Sequence, residues 1–92
     1  MKLLYRGTPI CIITDRQSDG LGFCAYISLL SEGEKYKPFF DWLIDEKRNQ
    51  ENPPPFDQAL FEGWDVEDED GVRHDIMIPC IDNNYTTLEW RQ

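Results

Sequence analysis

The dipeptide Asp70-Gly71 constrains the fold most, because it separates two stretches in which apolar and polar residues alternate. An Asp-Gly pair between alternating runs is the strongest short signal for a β-hairpin, since both residues tolerate the left-handed backbone of a tight turn. The run Trp64–Glu67 precedes it, and the run Val72–Cys80 follows it. A third alternating run, Tyr85–Trp90, comes after turn residues at 82–84. The pattern predicts a three-stranded antiparallel meander in the C-terminal half.

The N-terminal half begins with two short β-type runs, Lys2–Arg6 and Pro9–Thr14, followed by turn-forming residues at 15–20. The next stretch, Leu21–Leu30, is almost continuously apolar, and its ten residues fit a buried strand as well as a buried helix. Aromatic and β-branched residues within it favour a strand. We therefore predict an N-terminal hairpin in which this strand pairs with Pro9–Thr14.

One helix is predicted at about 38–49. Pro38 suits the first helical turn, and apolar residues recur at helical spacing after it. Three consecutive prolines end this pattern, and they predict a stiff loop at 52–55. The length of 92 residues is enough for one core, and no internal repeat is visible. We expect residues 1–92 to form a single small α+β domain, a mostly antiparallel sheet with one principal helix.

The charge is strongly acidic and unevenly distributed. The formal net charge is −9, and residues 41–92 contain fourteen acidic but only four basic side chains. Such a field repels nucleic-acid phosphates and anionic membranes and attracts basic proteins. We therefore expect a protein partner with a basic surface, and no direct contact with nucleic acid or membrane. No run approaches the ~20 apolar residues of a membrane span, and the N-terminus does not resemble a secretory signal.

Cysteine usage points to a reducing compartment. Cys11, Cys24 and Cys80 form an odd set without regular spacing, whereas a disulfide framework favours an even count. Each lies between apolar neighbours, where a thiol usually behaves as a small buried hydrophobic group. The pattern predicts three free, buried thiols in a cytoplasmic protein.

Neither a metal site nor a cofactor site is predicted. With Gly71 at position six of a calcium loop, positions one and twelve are Val66 and Met77, which cannot ligate calcium. The stretch Gly20–Ala25 matches the loose dinucleotide motif GxGxxA, but that motif is meaningful only when it opens a helix in a βαβ unit. Turn chemistry explains these glycines better.

A cysteine hydrolase is one alternative function. Cys24 would be the nucleophile and His74 the base, because a thiol attacks a carbonyl only as the thiolate and needs an adjacent imidazole. The apolar neighbours of Cys24 favour the neutral thiol. Asp75 cannot orient the ring of His74, because adjacent strand residues point to opposite faces. The pattern favours a non-enzymatic chain.

The preferred hypothesis combines aromatic anchors with the acidic hairpin. Trp and Tyr dominate the binding energy of protein interfaces, and carboxylates would match lysine and arginine on a partner. The predicted partner-binding residues are Trp42, Trp64, Asp65, Glu67, Asp68, Glu69, Asp70 and Tyr85. We expect a small inhibitor or regulator that covers a basic surface of a nucleic-acid-handling protein. Two alternatives stay open: Trp42 and Trp64 cap the two ends of the core, or the chain is a homo-oligomeric accessory domain.

Overall fold

A computed structural model describes residues 1–45 and 55–92. Its regular elements are seven strands and one α-helix, together with two 3₁₀ helices at Ser31–Tyr36 and Gln58–Phe61. The strands and the helix are β1 (Lys2–Tyr5), β2 (Thr8–Ser18), β3 (Phe23–Leu29), α1 (Lys37–Ile44), β4 (Trp64–Glu67), β5 (Arg73–Asp75), β6 (Cys80–Ile81) and β7 (Thr87–Trp90). No helix in these two ranges combines the length and the apolar character that a membrane crossing requires.

All seven strands belong to one antiparallel sheet with the order β5-β4-β1-β2-β3-β7-β6. A two-residue turn joins β1 to β2, and both turn residues, Arg6 and Gly7, have positive φ angles of 48° and 87°. This backbone matches the twist of the flanking strands, which is why such turns dominate tight hairpins. The β2–β3 hairpin follows directly, and β4 adds to the free side of β1.

The sheet is strongly curled. β5 and β6 lie at its opposite edges, yet only residues 76–79 connect them. An extended chain spans at most about 18 Å over that interval, at ~3.6 Å per residue. Seven strands in a flat sheet would place its edges about 29 Å apart, at ~4.8 Å per strand. The two edges must therefore approach each other, so the sheet has a concave inner face and a convex outer face.

The core fills the inner face. All buried hydrophobic residues within the described ranges except Leu4 form one cluster, to which β1–β4, β6, β7 and α1 contribute: Leu3, Ile10, Cys11, Ile13, Ala25, Ile27, Phe39, Phe40, Trp64, Val66, Ile81, Leu88 and Trp90. Trp64 joins the helix to the sheet, because its ring contacts Phe39, Phe40 and Tyr5. The indole N–H of Trp64 donates to the Leu60 carbonyl at 2.7 Å, which satisfies its polar atom.

The α+β class, the mostly antiparallel sheet and the N-terminal hairpin are confirmed, and residues 23–29 form a strand. The two strand pairings of the predicted C-terminal meander are present, β4 with β5 and β6 with β7, but its middle strand is not continuous. The run Val72–Cys80 breaks into β5 and β6, and each pairs at a different edge of the sheet. Pro79 supplies no backbone N–H for a continuous ladder. The intervening Met77 instead donates its N–H to the Arg91 carbonyl at 2.9 Å.

The helix differs from the prediction at both ends. Pro38 lies in its first turn as expected, but a 3₁₀ helix at Ser31–Tyr36 precedes it. The helix ends at Ile44, because Asp45 has an extended backbone with φ −73° and ψ 123°. Residues 46–49 of the predicted helix lie outside the described residues. So does the predicted stiff loop at 52–55, apart from Pro55.

The central position of Trp64 can be tested by its removal. We expect Trp64→Ala to lower the free energy of unfolding by about 3–5 kcal/mol, since a buried aromatic side chain and its packing are lost. Urea denaturation measures the loss. Val72→Ala is the matched control, because Val72 is 52% exposed and a surface change stays within about 0.5 kcal/mol. Equal, small effects of both substitutions would contradict a core position for Trp64.

Candidate functional site

The acidic residues are gathered on the β4–β5 hairpin at one edge of the sheet. Between Trp64 and Asp75 the chain carries six carboxylates and one arginine. Glu69 and Asp70 are exposed at the tip, where Gly71 adopts a positive φ of 80°. The hairpin thus concentrates negative charge at one place on the molecule.

Asp68 holds the turn of this hairpin together. Its carboxylate accepts backbone N–H groups from Asp70 at 2.9 Å and from Val72 at 3.0 Å. Its second oxygen lies 2.9 Å from Nε2 of His74. The hydrogen bond with His74, assisted by the backbone N–H groups of Val72 and Asp70, lowers the pKa of Asp68. Asp68 therefore supports the acidic tip, and its carboxylate is already engaged within the chain.

Asp65 and Glu67 point to the outer face of the sheet. They alternate along β4 with the buried side chains of Trp64 and Val66. Glu67 lies opposite Arg73, and Arg73 Nε is 3.6 Å from Glu67 Oε2. Asp65 lies directly opposite Asp75 on the same face. Like charges in that arrangement destabilise a strand pair, so this edge of the sheet favours an added cation.

A cleft of about 730 Å³ separates the hairpin tip from the far end of β2. One wall is formed by residues 68–70 and the other by Thr14, Asp15 and Arg16, with Met1 between them. Asp15 has a positive φ of 56° at a bulge in β2 and adds a carboxylate opposite the tip. The guanidinium of Arg16 lies 5.2 Å from the centre of the Phe23 ring on β3, the strand on the other side of β2. The cleft is therefore bordered by carboxylates on both sides.

The predicted aromatic anchors do not join this acidic surface. Trp64 is 1% exposed and belongs to the core, so it offers no contact area to a partner. Trp42 is partly buried and packs edge-on against Phe56 and Phe61. The alternative in which tryptophans support the core describes both positions better.

Tyr85 also serves an internal role. Its hydroxyl donates to Oδ1 of Asp41 on α1, and this hydrogen bond raises the pKa of Tyr85 to about 12. Lys37 Nζ lies 4.8 Å from the centre of the same ring. Tyr85 thus ties the turn before β7 to the helix, and it does not line the cleft beside the acidic tip.

Sequence reasoning missed two exposed residues, of which only Asp15 lines the cleft. Tyr26 is 59% exposed on the outer face of β3, opposite Thr14 of β2. Its alternation with Ala25 and Ile27 is a sequence signal that could have placed it outward. The sequence contains no comparable signal for Asp15. Its position depends on the bulge in β2, and its role beside the cleft depends on the hairpin tip, which is distant in the sequence.

The structure does not bring Cys24 and His74 together. His74 lies opposite Val66 and so shares the inner side of the sheet, whereas Cys24 lies opposite Glu89 on the outer side. Three strands separate β3 from β5 along the sheet, and Nε2 of His74 contacts Asp68 instead. This pair cannot act as nucleophile and base in the folded chain.

The three cysteines have three different environments. Cys11 is fully buried, and burial raises the pKa of its thiol to about 12. Cys24 is partly buried, and Cys80 is exposed on an edge strand. The prediction of three buried thiols is therefore correct for Cys11 and wrong for Cys80. Cys80 follows Pro79 and begins β6, which is the strand at the edge of the sheet.

No group of three or more His, Cys, Asp or Glu side chains within residues 1–45 and 55–92 is arranged to hold a metal ion. No family model, no curated protein and no solved structure matches this chain. Its function is therefore inferred from its own charges and geometry.

The turn formed by Asp68 gives a pH-dependent prediction. Because folding lowers the pKa of Asp68, its contribution to stability is present above the ordinary carboxyl value of about 3.9 and is lost as the pH falls through the folded value. We expect Asp68→Ala at neutral pH to accelerate amide hydrogen exchange at Val72 several-fold, because the carboxylate acceptor is removed. In the wild-type chain, lowering the pH through the folded pKa of Asp68 should also accelerate exchange at Val72, once the exchange rate has been corrected for its intrinsic pH dependence. Asp70→Ala is the control, since Asp70 contributes its backbone N–H and not its carboxylate to the turn; equal effects of both variants would contradict the role of Asp68.

The separation of Cys24 from His74 gives a second prediction. Alkylation of Cys24 by iodoacetamide at neutral pH should proceed no faster than that of a thiol in a short peptide, since no imidazole is in reach to activate it. His74→Ala should leave the rate at Cys24 unchanged, as followed by mass spectrometry of the labelled peptides. A rate well above the peptide value that falls in His74→Ala would restore the hydrolase hypothesis.

Proposed function

We propose that this chain is a small, acidic, non-enzymatic protein-interaction module that binds a basic surface of a protein partner. The observation that carries the proposal is the concentration of carboxylates on the β4–β5 hairpin, with Glu69 and Asp70 exposed at its tip. The fold gives this hairpin an edge position, so a partner can approach it without disturbing the core.

The energetics of the hairpin support a binding role. The Asp65–Asp75 pair is unfavourable in the isolated chain, and a lysine or arginine from a partner would relieve it. Solubility alone does not require two carboxylates directly opposite each other. A cationic partner therefore explains this arrangement better than solvation does.

The proposed partner class follows from charge. Proteins that handle nucleic acids carry basic surfaces, because they neutralise phosphates with lysine and arginine. An acidic hairpin placed on such a surface would block it sterically, as an inhibitor or regulator does. Electrostatic steering would make this association fast and sensitive to salt. The net charge of −9 disfavours direct binding of nucleic acid or an anionic membrane by this chain.

The same charges bear on the alternatives. Two copies that meet through their acidic hairpins would repel each other, which disfavours a homo-oligomer at this edge. The buried thiol of Cys11 and the free thiol of Cys24 suit a reducing compartment, which supports a proposed cytoplasmic location.

Charge reversal at the hairpin tip tests the proposal. The Glu69→Lys/Asp70→Lys variant should lose the protein that the wild-type chain captures from a lysate of its source cells at low salt, because the attraction is removed at the site of contact. The captured protein should be basic, and raising the salt should release it. The measurement is quantitative mass spectrometry of the captured material.

The matched control is the Glu32→Lys/Glu62→Lys variant, which changes the net charge equally. Glu32 lies on the first 3₁₀ helix and Glu62 precedes β4 at the end remote from the tip, and both are exposed. The control variant should still capture the partner protein. Equal capture by both variants, or capture of a partner that is not basic, would refute the proposed function.

A further inference from the structure

Tyr26 is an exposed aromatic residue on the outer face of the sheet. It is 59% exposed, whereas the other three tyrosines are partly buried. Within residues 1–45 and 55–92, its hydroxyl has no hydrogen-bond partner, and its ring contacts neither another aromatic ring nor a cation. The ring is therefore available to a partner molecule.

A carboxylate lies within reach of this ring. Tyr26 lies opposite Thr87 of β7, and Glu89 follows two residues later on the same face of the sheet. Such diagonal neighbours lie about 7–8 Å apart, a distance that long and aromatic side chains can bridge. Glu89 is exposed. One cation can therefore contact the ring of Tyr26 and the carboxylate of Glu89 together.

A cleft of about 260 Å³ adjoins the ring, and we call it the Tyr26 cleft. Thr87 and Glu89 line it from β7, and Asp15 and Gln17 line it from β2. Asp15 is exposed at the bulge in β2. In the part of the chain that the structure describes, neither Asp15 nor Glu89 forms an ion pair. The cleft therefore presents two carboxylates whose charge is not compensated by these residues.

No basic side chain from the two described ranges lines the Tyr26 cleft. Arg16 is the nearest cation along the chain, but its guanidinium lies 5.2 Å from the centre of the Phe23 ring. Phe23 and Tyr26 are three residues apart on β3 and so lie on opposite faces of the sheet. The cleft therefore attracts a cation from outside the chain.

The size and the chemistry of the cleft favour an arginine side chain. Pockets for drug-sized ligands measure roughly 300–1,000 Å³, so this smaller cleft suits a single side chain. A guanidinium is planar, and it can stack on an aromatic ring while its N–H groups donate to carboxylates. A lysine ammonium has no planar surface. A second copy of this acidic chain would be repelled.

We infer that the Tyr26 cleft binds an arginine side chain of a protein partner, with the guanidinium stacked on the Tyr26 ring and hydrogen-bonded to the carboxylates of Glu89 and Asp15. This inference rests on the proposed function, because it takes the partner to be basic, and it adds a second contact on the outer face of the sheet. Asp15 borders both the Tyr26 cleft and the cleft beside the hairpin tip. One basic surface can therefore contact both places.

Three peptides with blocked ends, titrated into the full chain at low salt, test this assignment. Each carries one central residue between pairs of glycines: arginine, citrulline, which has a similar shape but no charge, or lysine. Nuclear magnetic resonance follows the amide signals of the protein and the side-chain protons of the peptide. The arginine peptide should shift the amide signals of Tyr26, Thr87 and Glu89. Its δ-methylene protons should move upfield, because they lie over an aromatic ring, and the other two peptides should bind more weakly.

Substitutions at Tyr26 separate stacking from a general attraction to charge. Tyr26→Phe keeps the ring and should bind the arginine peptide with an unchanged Kd. Tyr26→Leu keeps an apolar side chain without a ring, and it should raise the Kd about twofold to fivefold and abolish the upfield shift. The position is exposed, so both variants should fold, and the dispersion of their amide signals checks this.

A matched pair of substitutions tests the carboxylate. Glu89→Gln should raise the Kd of the arginine peptide about twofold, because an exposed ion pair is lost. Glu62→Gln changes the net charge equally and should leave the Kd unchanged. Glu62 is also exposed, but it precedes β4, and β1 and β2 lie between β4 and β3. Equal effects of the two substitutions would overturn the role of Glu89 in the cleft.

The results also separate this inference from the proposed function. The inference is refuted if the arginine peptide binds no more tightly than the citrulline or the lysine peptide, or if Tyr26→Leu changes neither the Kd nor the upfield shift. The proposed function survives such a result, since the hairpin tip can bind a basic surface without the Tyr26 cleft. If instead the lysate experiment fails while the arginine peptide binds through Tyr26, the function assigned to the hairpin is refuted and the cleft is supported.

Discussion

The central position of β1 is the constraint on which the rest of the structure depends. β1 pairs with β2 on one side and with β4 on the other, and its inner side chain Leu3 is buried. Through β4 it positions the β4–β5 hairpin, whose tip lies across a cleft from Thr14, Asp15 and Arg16 of β2. One strand therefore connects the closed core with the acidic hairpin.

The alternation of apolar and acidic residues along β4 both anchors the hairpin in the core and exposes its carboxylates. Trp64 and Val66 enter the core from β4, so Asp65 and Glu67 must point outward. Asp68 then uses its charge within the turn, where it accepts two backbone N–H groups and contacts His74. An apolar anchor on one face and an internal hydrogen-bonded turn make the exposed carboxylates a fixed surface rather than a loose acidic segment. Fixed charges bind a matching partner with less loss of conformational entropy.

The sequence predicted the features that depend on neighbouring residues and failed for those that depend on distant ones. The Asp70-Gly71 turn and the helical turn that begins at Pro38 are local, and both are present. The pairing of β7 with β3, rather than with β5, is decided by the core and has no local signal. At the candidate site, Trp64 and Val66 are two residues apart on one strand and so share a face, which already implied that Trp64 is buried. The contribution of Asp15 to the cleft depends on a bulge in β2 that the sequence does not reveal.

The most direct test of this account is a set of backbone nuclear Overhauser effects in the free chain in solution. The structure predicts cross-strand contacts between Leu3 and Val66 and between Asp65 and Asp75, because β4 lies between β1 and β5. It also predicts no backbone contacts between the tip at 69–71 and residues 15–18 of β2, because a cleft lies between the tip and this end of β2. Such contacts would contradict the account.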